Sequence, residues 1–271
     1  MAVHNSVVVV SFNARVALER LLTALKMDEA PACEVIVVDN ASVDDSATMV
    51  REKFPHVHLL PLDRNRGFAE AVNKGLREAQ GDVAIVCHAD IVADLHDLTE
   101  LADKLREAAS RRAVAVLPRL VGTDGAPQPF VAPLPTLARG VLGEFKPVLA
   151  RQARVPSLDH VSDHEFASFA CCAIDVATLL KLGGFDPKFF MYFADADLCA
   201  RLHEKSLRLL ISRDVKVVHT GHAMGEPVDA NRSRLMRQDL ARYIEKHRSP
   251  VDQGMMRAAA KVRKLVTRSD E

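Results

Sequence analysis

Val35-Ile36-Val37-Val38-Asp39-Asn40-Ala41-Ser42 decides the fold: four β-branched apolar residues run without alternation and then stop in a polar turn. Such a run suits a strand buried on both faces, as in a parallel sheet covered by helices. Val7 to Val10 has the same character and ends in Ser11-Phe12-Asn13. Between the two runs, Val16, Leu18, Leu21, Leu22 and Leu25 recur at helical spacing, with Asn13 placed to cap them. Downstream, the pattern predicts a helix over 46–54, a strand near 58–60, a helix over 68–79 and a strand over 83–87. This β-α-β-α-β order implies right-handed crossovers, an α/β fold with a mostly parallel central sheet, and ligands bound beyond the carboxyl ends of the strands. The polar clusters Ser11 to Asn13, Asp39 to Ser42 and His88 to Asp90 all fall at such ends.

A helix over 95–108 and a strand over 114–117 continue the alternation. Pro118, Pro127, Pro129, Pro133, Pro135 and Pro147 then interrupt regular structure as far as about residue 160, in a segment that reads either as substrate-facing or as ordinary surface loop.

The chain has 271 residues, 48% of them apolar, enough for a large core. Lys and Arg (36) balance Asp and Glu (36), which removes the electrostatic argument for a nucleic-acid partner. Cys33, Cys87, Cys171, Cys172 and Cys199 sit in apolar runs without the paired spacing of a zinc site, so buried free thiols and a reducing, cytoplasmic setting are expected. No run approaches the roughly 20 apolar residues that span a bilayer, and the N-terminus does not read as a signal peptide. From Arg232 to Arg268, eleven Lys or Arg face three Asp or Glu. With Leu240, Tyr243, Ile244, Met255, Met256, Val262 and Leu265, this tail reads as a helix packed on its own domain or as a basic helix on an anionic membrane face.

The segment from Gly183 to Cys199 sets Asp195 and Asp197 directly after Phe189, Phe190, Tyr192 and Phe193. A carboxylate beside so many aromatic rings is easily desolvated, which raises its pKa toward that of a useful general base. The other reading makes Asp195 a helix cap and the aromatics core.

Taken together, Val-Ser-Phe-Asn at 10–13, Val-Val-Asp-Asn-Ala-Ser at 37–42, Asn-Arg-Gly-Phe-Ala-Glu-Ala-Val-Asn at 65–73, the Gly183 segment and Val-Val-His at 217–219 resemble family 2 glycosyltransferases of the GT-A fold, in particular their bacterial rhamnosyltransferase-like branch. The resemblance runs from about Val7 to His222. It implies a Rossmann-like GT-A domain over 1–225, divided into a nucleotide-sugar half (1–117) and an acceptor half (118–225), with a basic helical extension over 226–271.

The implied reaction is transfer of a sugar, with inversion, from a nucleotide-diphosphate donor such as dTDP-rhamnose or a UDP-sugar to a hydroxyl of a glycan or lipid-linked glycan at the inner membrane face. Donor binding is expected at Ser11, Asn13, Asp39, Asn40, Ser42, Arg66, Gly67, Asn73 and His88, with His88 reading equally as a Mn²⁺ ligand or as an ordinary hydrogen-bonded strand-end histidine. Asp90 and His219 are the expected ligands of Mg²⁺ or Mn²⁺, Asp195 the base, and Tyr192, Phe193 and Asp197 the acceptor wall, although Asp197 reads first as a cap or brace of its helix. Two departures bear on activity. His88-Ala89-Asp90-Ile91 stands where the branch often has Asn-Pro-Asp-Thr, and Ala194 replaces the first acid of Glu-Asp-x-Asp. They leave room for a relative that binds nucleotide without turnover. Nucleotidyl transfer, the remaining alternative on such a sheet, lacks an early Gly-rich loop for a triphosphate.

Overall fold

The computed structural model describes residues 4–26, 33–135, 153–156, 159–221 and 229–247. Its first half is β1 (Asn5–Ser11), α1 (Arg15–Ala24), β2 (Cys33–Asp39), α2 (Ser46–Lys53), β3 (His58–Pro61), α3 (Phe68–Glu78), β4 (Val83–His88), β5 (Ile91–Val92), α4 (Leu95–Glu107) and β6 (Ala113–Val121). The second half adds β7 (Val131–Pro133), β8 (Glu165–Ala167), β9 (Cys171–Asp175), α5 (Val176–Lys181), α6 (Ala194–Glu204), β10 (Arg208–His219) and α7 (Ala230–His247).

Eight strands form one sheet in the order β3-β2-β1-β4-β9-β6-β10-β5, and β7 and β8 make a separate antiparallel pair. Neighbours from β3 to β4 run parallel, as do β6 and β10. The exceptions are β9, antiparallel to β4 and β6, and β5, antiparallel to β10. Val7 to Val9 and Val35 to Val38 are all buried. Because successive strand residues point to opposite faces, both faces of the sheet are covered, as the unbroken apolar runs require.

The first-half elements match the sequence expectation, but two local readings do not. Asn13 does not cap α1: the helix follows Ala14 without a side-chain cap, and Asn13 lies in the left-handed region at φ 48°. Its Oδ1 instead accepts from the Val43 N–H at 2.9 Å, tying the loop after β1 to the loop after β2. Val16, read as part of the apolar face, is exposed. All five cysteines are free and buried, as expected.

The basic tail is described as far as His247, where α7 buries Met236, Leu240, Tyr243 and Ile244 against the core. That face supports the packed-helix reading. Met255, Met256, Val262 and Leu265 lie outside the described residues, as does most of the proline-interrupted stretch from Thr136 to Gln152.

Gly75 lets α3 lie close to the sheet, since a Cβ there would overlap the Val8 side chain and come within 3.1 Å of Val38. An exposed helical Gly→Ala change stabilises by about 1 kcal/mol, whereas overpacking costs about 1–3 kcal/mol. Gly75→Ala is therefore expected to lower the urea midpoint at unchanged m-value.

Candidate functional site

The strands β1, β2 and β4 stop at one edge and release Ser11, Asp39 and His88 there. Asp39 Oδ2 accepts from the Ser42 N–H at 3.1 Å, and Ser42 Oγ accepts from the Asn13 N–H at 2.9 Å. Two loops are thereby fastened together. Asp39 Oδ1 and Ser11 Oγ remain buried with no hydrogen-bond partner. A polar atom buried without a partner costs about 1–3 kcal/mol, so such atoms point to a ligand that completes them.

Other residues expected at the donor serve the loops in this structure. Asn40 spends both amide atoms on the neighbouring backbone, accepting from the Arg66 N–H at 2.8 Å and donating to the Gly67 carbonyl at 3.2 Å. The Arg66 guanidinium pairs with Asp63 and Glu70 at 2.9 and 3.0 Å. Asn73, expected at the donor, is instead a buried clamp: its Nδ2 donates to the Phe185 carbonyl at 2.7 Å and its Oδ1 accepts from the Phe185 N–H at 2.9 Å. Gly67 is required where it stands. It has φ +80°, and a Cβ there would overlap the Phe190 carbonyl, which accepts from the Phe68 N–H at 2.8 Å.

Beyond β4, His88, Asp90 and His219 offer ligand atoms that all lie within 4.8 Å of one another. His219 Nε2 is 3.6 Å and His88 Nδ1 3.9 Å from Asp90 Oδ1, which is buried without a hydrogen bond. Burial acts to raise the Asp90 pKa, but the two histidines outweigh it and hold the carboxyl down at about 2. Burial pushes the His88 imidazole down, toward the neutral form a metal ligand needs. A Cβ on Gly221 would overlap Asp90 Oδ2, so only glycine leaves the carboxylate its space. A carboxylate and two imidazoles fit a divalent cation.

Asp195 lies in the first turn of α6, where its Oδ2 accepts from the Phe169 N–H at 3.3 Å. The adjoining Ala170 carbonyl accepts from the His88 N–H at 2.8 Å, so one short turn joins the carboxylate to the metal-capable cluster. Desolvation raises the Asp195 pKa to about 7 against the smaller, opposite effect of the Phe169 N–H. Ala194 is buried beside it. The missing family acid is thus not needed to lift this pKa, since burial alone does so.

Two of the residues named for the acceptor side, Asp197 and Phe193, are held by the scaffold. Asp197 has no exposed side-chain surface and pairs with Arg201 at 2.9 Å and with Lys246 and His247 at 2.7 Å each. Burial would raise its pKa, but His247, Lys246 and Arg201 hold it at about 2, and its oxygens are occupied by the brace rather than open to an acceptor. The Phe193 ring is buried with its centroid 6.4 Å from that of Tyr243, and its backbone sits at φ +61°. Tyr192 stays partly exposed at the surface of the core.

The chain matches the glycosyl transferase family 2 profile over residues 6–130. It is 31% identical over 243 residues to the N-acetylglucosaminyl-diphospho-decaprenol L-rhamnosyltransferase of Mycobacterium tuberculosis, covering 81% of this chain and 77% of that one. The chain belongs to glycosyl transferase family 2. The Haloferax volcanii low-salt glycan biosynthesis hexosyltransferase Agl10 is 21% identical over 84% of this chain and 69% of its own. Among solved structures, the Pyrobaculum calidifontis mannosyltransferase PcManGT in complex with GDP-Man and Mn²⁺ superposes with a TM-score of 0.57 at 22% identity, over 95% of this chain and 69% of that one. S. aureus TarS 1-349 in complex with UDP-GlcNAc gives 0.57 at 19% identity, over 93% and 69%. These likenesses place the sheet and its helices in the GT-A glycosyltransferase fold, and this family 2 chain is a glycosyltransferase.

Sequence reasoning missed Asp239. Fully buried on α7, its carboxylate accepts from the Met191 and Tyr192 N–H groups at 3.0 Å each and from Phe190 at 3.4 Å, and it pairs with Arg242 at 2.6 Å. Its helical spacing with Met236, Leu240 and Tyr243 puts an acid on the inward face, a signal present in the sequence. Asp239→Ala would strip three backbone donors of their acceptor and loosen the loop that leads into Asp195. A loss of about 1–3 kcal/mol, the scale for leaving buried polar groups unpaired, is expected in urea denaturation, with Asp239→Asn recovering part of it.

Proposed function

We propose that this glycosyltransferase moves a sugar, with inversion, from a dTDP- or UDP-linked donor to a hydroxyl of a lipid-linked glycan. The observation that carries the reading is the set of three buried, unpartnered oxygens, Ser11 Oγ, Asp39 Oδ1 and Asp90 Oδ1, at the ends of neighbouring strands. A nucleotide supplies what each lacks: ribose hydroxyls or a ring N–H for Ser11 and Asp39, and a cation-bound diphosphate for Asp90. The name of the mycobacterial relative favours an L-rhamnosyl donor and a polyprenyl-diphosphate-linked acceptor. No helix among the described residues is long and apolar enough to cross a membrane.

The chemistry follows from the two carboxylates of opposite character. Asp195, lifted to about 7, takes the proton from the acceptor hydroxyl. The freed oxygen pair attacks the anomeric carbon from the side opposite the leaving group. The bond from that carbon to the diphosphate oxygen breaks, and the nucleoside diphosphate departs with the electron pair. A Mg²⁺ or Mn²⁺ ion held by Asp90 and His219, with His88 beside them, would supply positive charge against the departing diphosphate. The Asp39 carboxylate and Ser11 hydroxyl hold the nucleoside, and Tyr192 lines the acceptor side.

Asp195→Asn keeps shape and removes the base. Donor-dependent release of nucleoside diphosphate in the presence of acceptor is expected to fall by about 10²–10⁴-fold, the usual worth of a general base, while nucleoside diphosphate affinity by calorimetry stays unchanged. Retained transfer removes Asp195 from the role. Tight nucleotide binding by the unmodified chain, without turnover on any dTDP- or UDP-sugar, would favour a binding protein instead.

A further inference from the structure

Gln128 fixes the proton on His219. Its Nε2 donates to the His219 carbonyl at 3.0 Å, so its Oε1 is left to accept, and that atom lies 3.0 Å from His219 Nδ1. The reverse amide orientation would set oxygen against the carbonyl oxygen. Nδ1 therefore carries a hydrogen, and Nε2 is the ring atom turned toward Asp90 Oδ1, 3.6 Å away. That carboxylate oxygen is buried without a hydrogen bond. His88 completes the triangle, its ring set edge-on to Phe68 with centroids 4.9 Å apart. The backbone around Asp90 is fixed too, because its carbonyl accepts from both the N–H and the Oγ1 of Thr220 at 2.9 and 3.0 Å.

We infer that His88, Asp90 and His219 form a three-ligand site that takes up Mn²⁺ or a later first-row divalent ion before any nucleotide arrives and discriminates against Mg²⁺. The inference rests on the glycosyltransferase reading only for what the ion later meets. Mg²⁺ prefers oxygen and retains much of its water, whereas imidazole suits first-row transition ions. Had position 88 been asparagine, the protein would offer one imidazole and one carboxylate, and the diphosphate would have to complete the shell. With His88 the protein supplies three ligands itself. Gln128 acts as the outer partner that keeps the His219 lone pair aimed inward, the usual arrangement for a metal-binding histidine.

The test is a titration of the full chain with MnCl₂ in the absence of nucleotide, followed by loss of the free-ion Mn²⁺ electron paramagnetic resonance signal. Stoichiometric loss of signal, not reversed by an equal concentration of Mg²⁺, is expected. His88→Asn should weaken nucleotide-free Mn²⁺ binding by at least about tenfold, and Gln128→Leu by about 10–100-fold, the range for lost outer-shell partners. Unchanged thermal unfolding of the metal-free variants excludes misfolding as the cause. Mn²⁺ retention only when nucleoside diphosphate is added, equal competition by Mg²⁺, or a His88→Asn variant with full affinity would overturn the inference. Nucleoside diphosphate binding measured in EDTA tests the donor pocket separately.

Discussion

The antiparallel pairing of Cys171–Asp175 against Val83–His88 is the joint on which the site depends. In a sheet of parallel strands, each carboxyl end would carry its own loop and the two halves of the chain could meet only through side chains. By running backwards between β4 and β6, β9 delivers its leading residues to the edge where the donor strands end. Ala170 then accepts from the His88 N–H, and Phe169 gives its N–H to Asp195. One short stretch of backbone thus sets the distance between the metal-capable cluster and Asp195, and hydrogen bonds in a buried strand hold it far more firmly than side-chain contacts would.

Asp195 and Asp197 show how surroundings divide labour between identical side chains. They lie two residues apart on α6, yet one is lifted to about 7 and the other held near 2. Both are desolvated, and what separates them is company. Asp197 is met by Arg201, Lys246 and His247, which make its charge part of the scaffold, whereas among the described residues Asp195 meets one backbone N–H and no cation. The helix supplying Lys246 and His247 also supplies Asp239, so α7 braces the base helix and the loop before it together. A tail that reads in sequence first as a helix packed on its own domain also holds the loop before Asp195.

The sequence revealed the first half of the fold because its signals are local: unbroken β-branched runs, helical spacing of leucines, and polar residues where the runs stop. Ser11, Asp39, Asp90, His219 and Asp195 could be singled out as candidates for the same reason, each standing at an element end in a recognisable motif. Asp197 was read from sequence chiefly as a helix brace, but the partners of Asn40, Asn73 and Phe193 were not legible, because a polar or aromatic residue beside a site looks the same whether it faces the ligand or ties down the loop that does. Only the partner decides, as when Asn73 finds Phe185, 112 positions away. Gln128 carries no local signal at all, since its role exists only once β10 has brought His219 beside it. The backward course of β9 was likewise hidden, because an apolar run does not reveal strand direction.

The central claim is that desolvation alone, without a neighbouring acid, makes Asp195 a working base. It is tested most directly by the pH dependence of kcat/KM for the acceptor under donor saturation, which reports the ionisation of the enzyme before the acceptor binds. Because the raised pKa keeps the carboxyl protonated at low pH, the account predicts a rate that climbs tenfold per pH unit up to about 7 and then levels off. A profile already flat from pH 5 upward would show a carboxylate of ordinary acidity and contradict it.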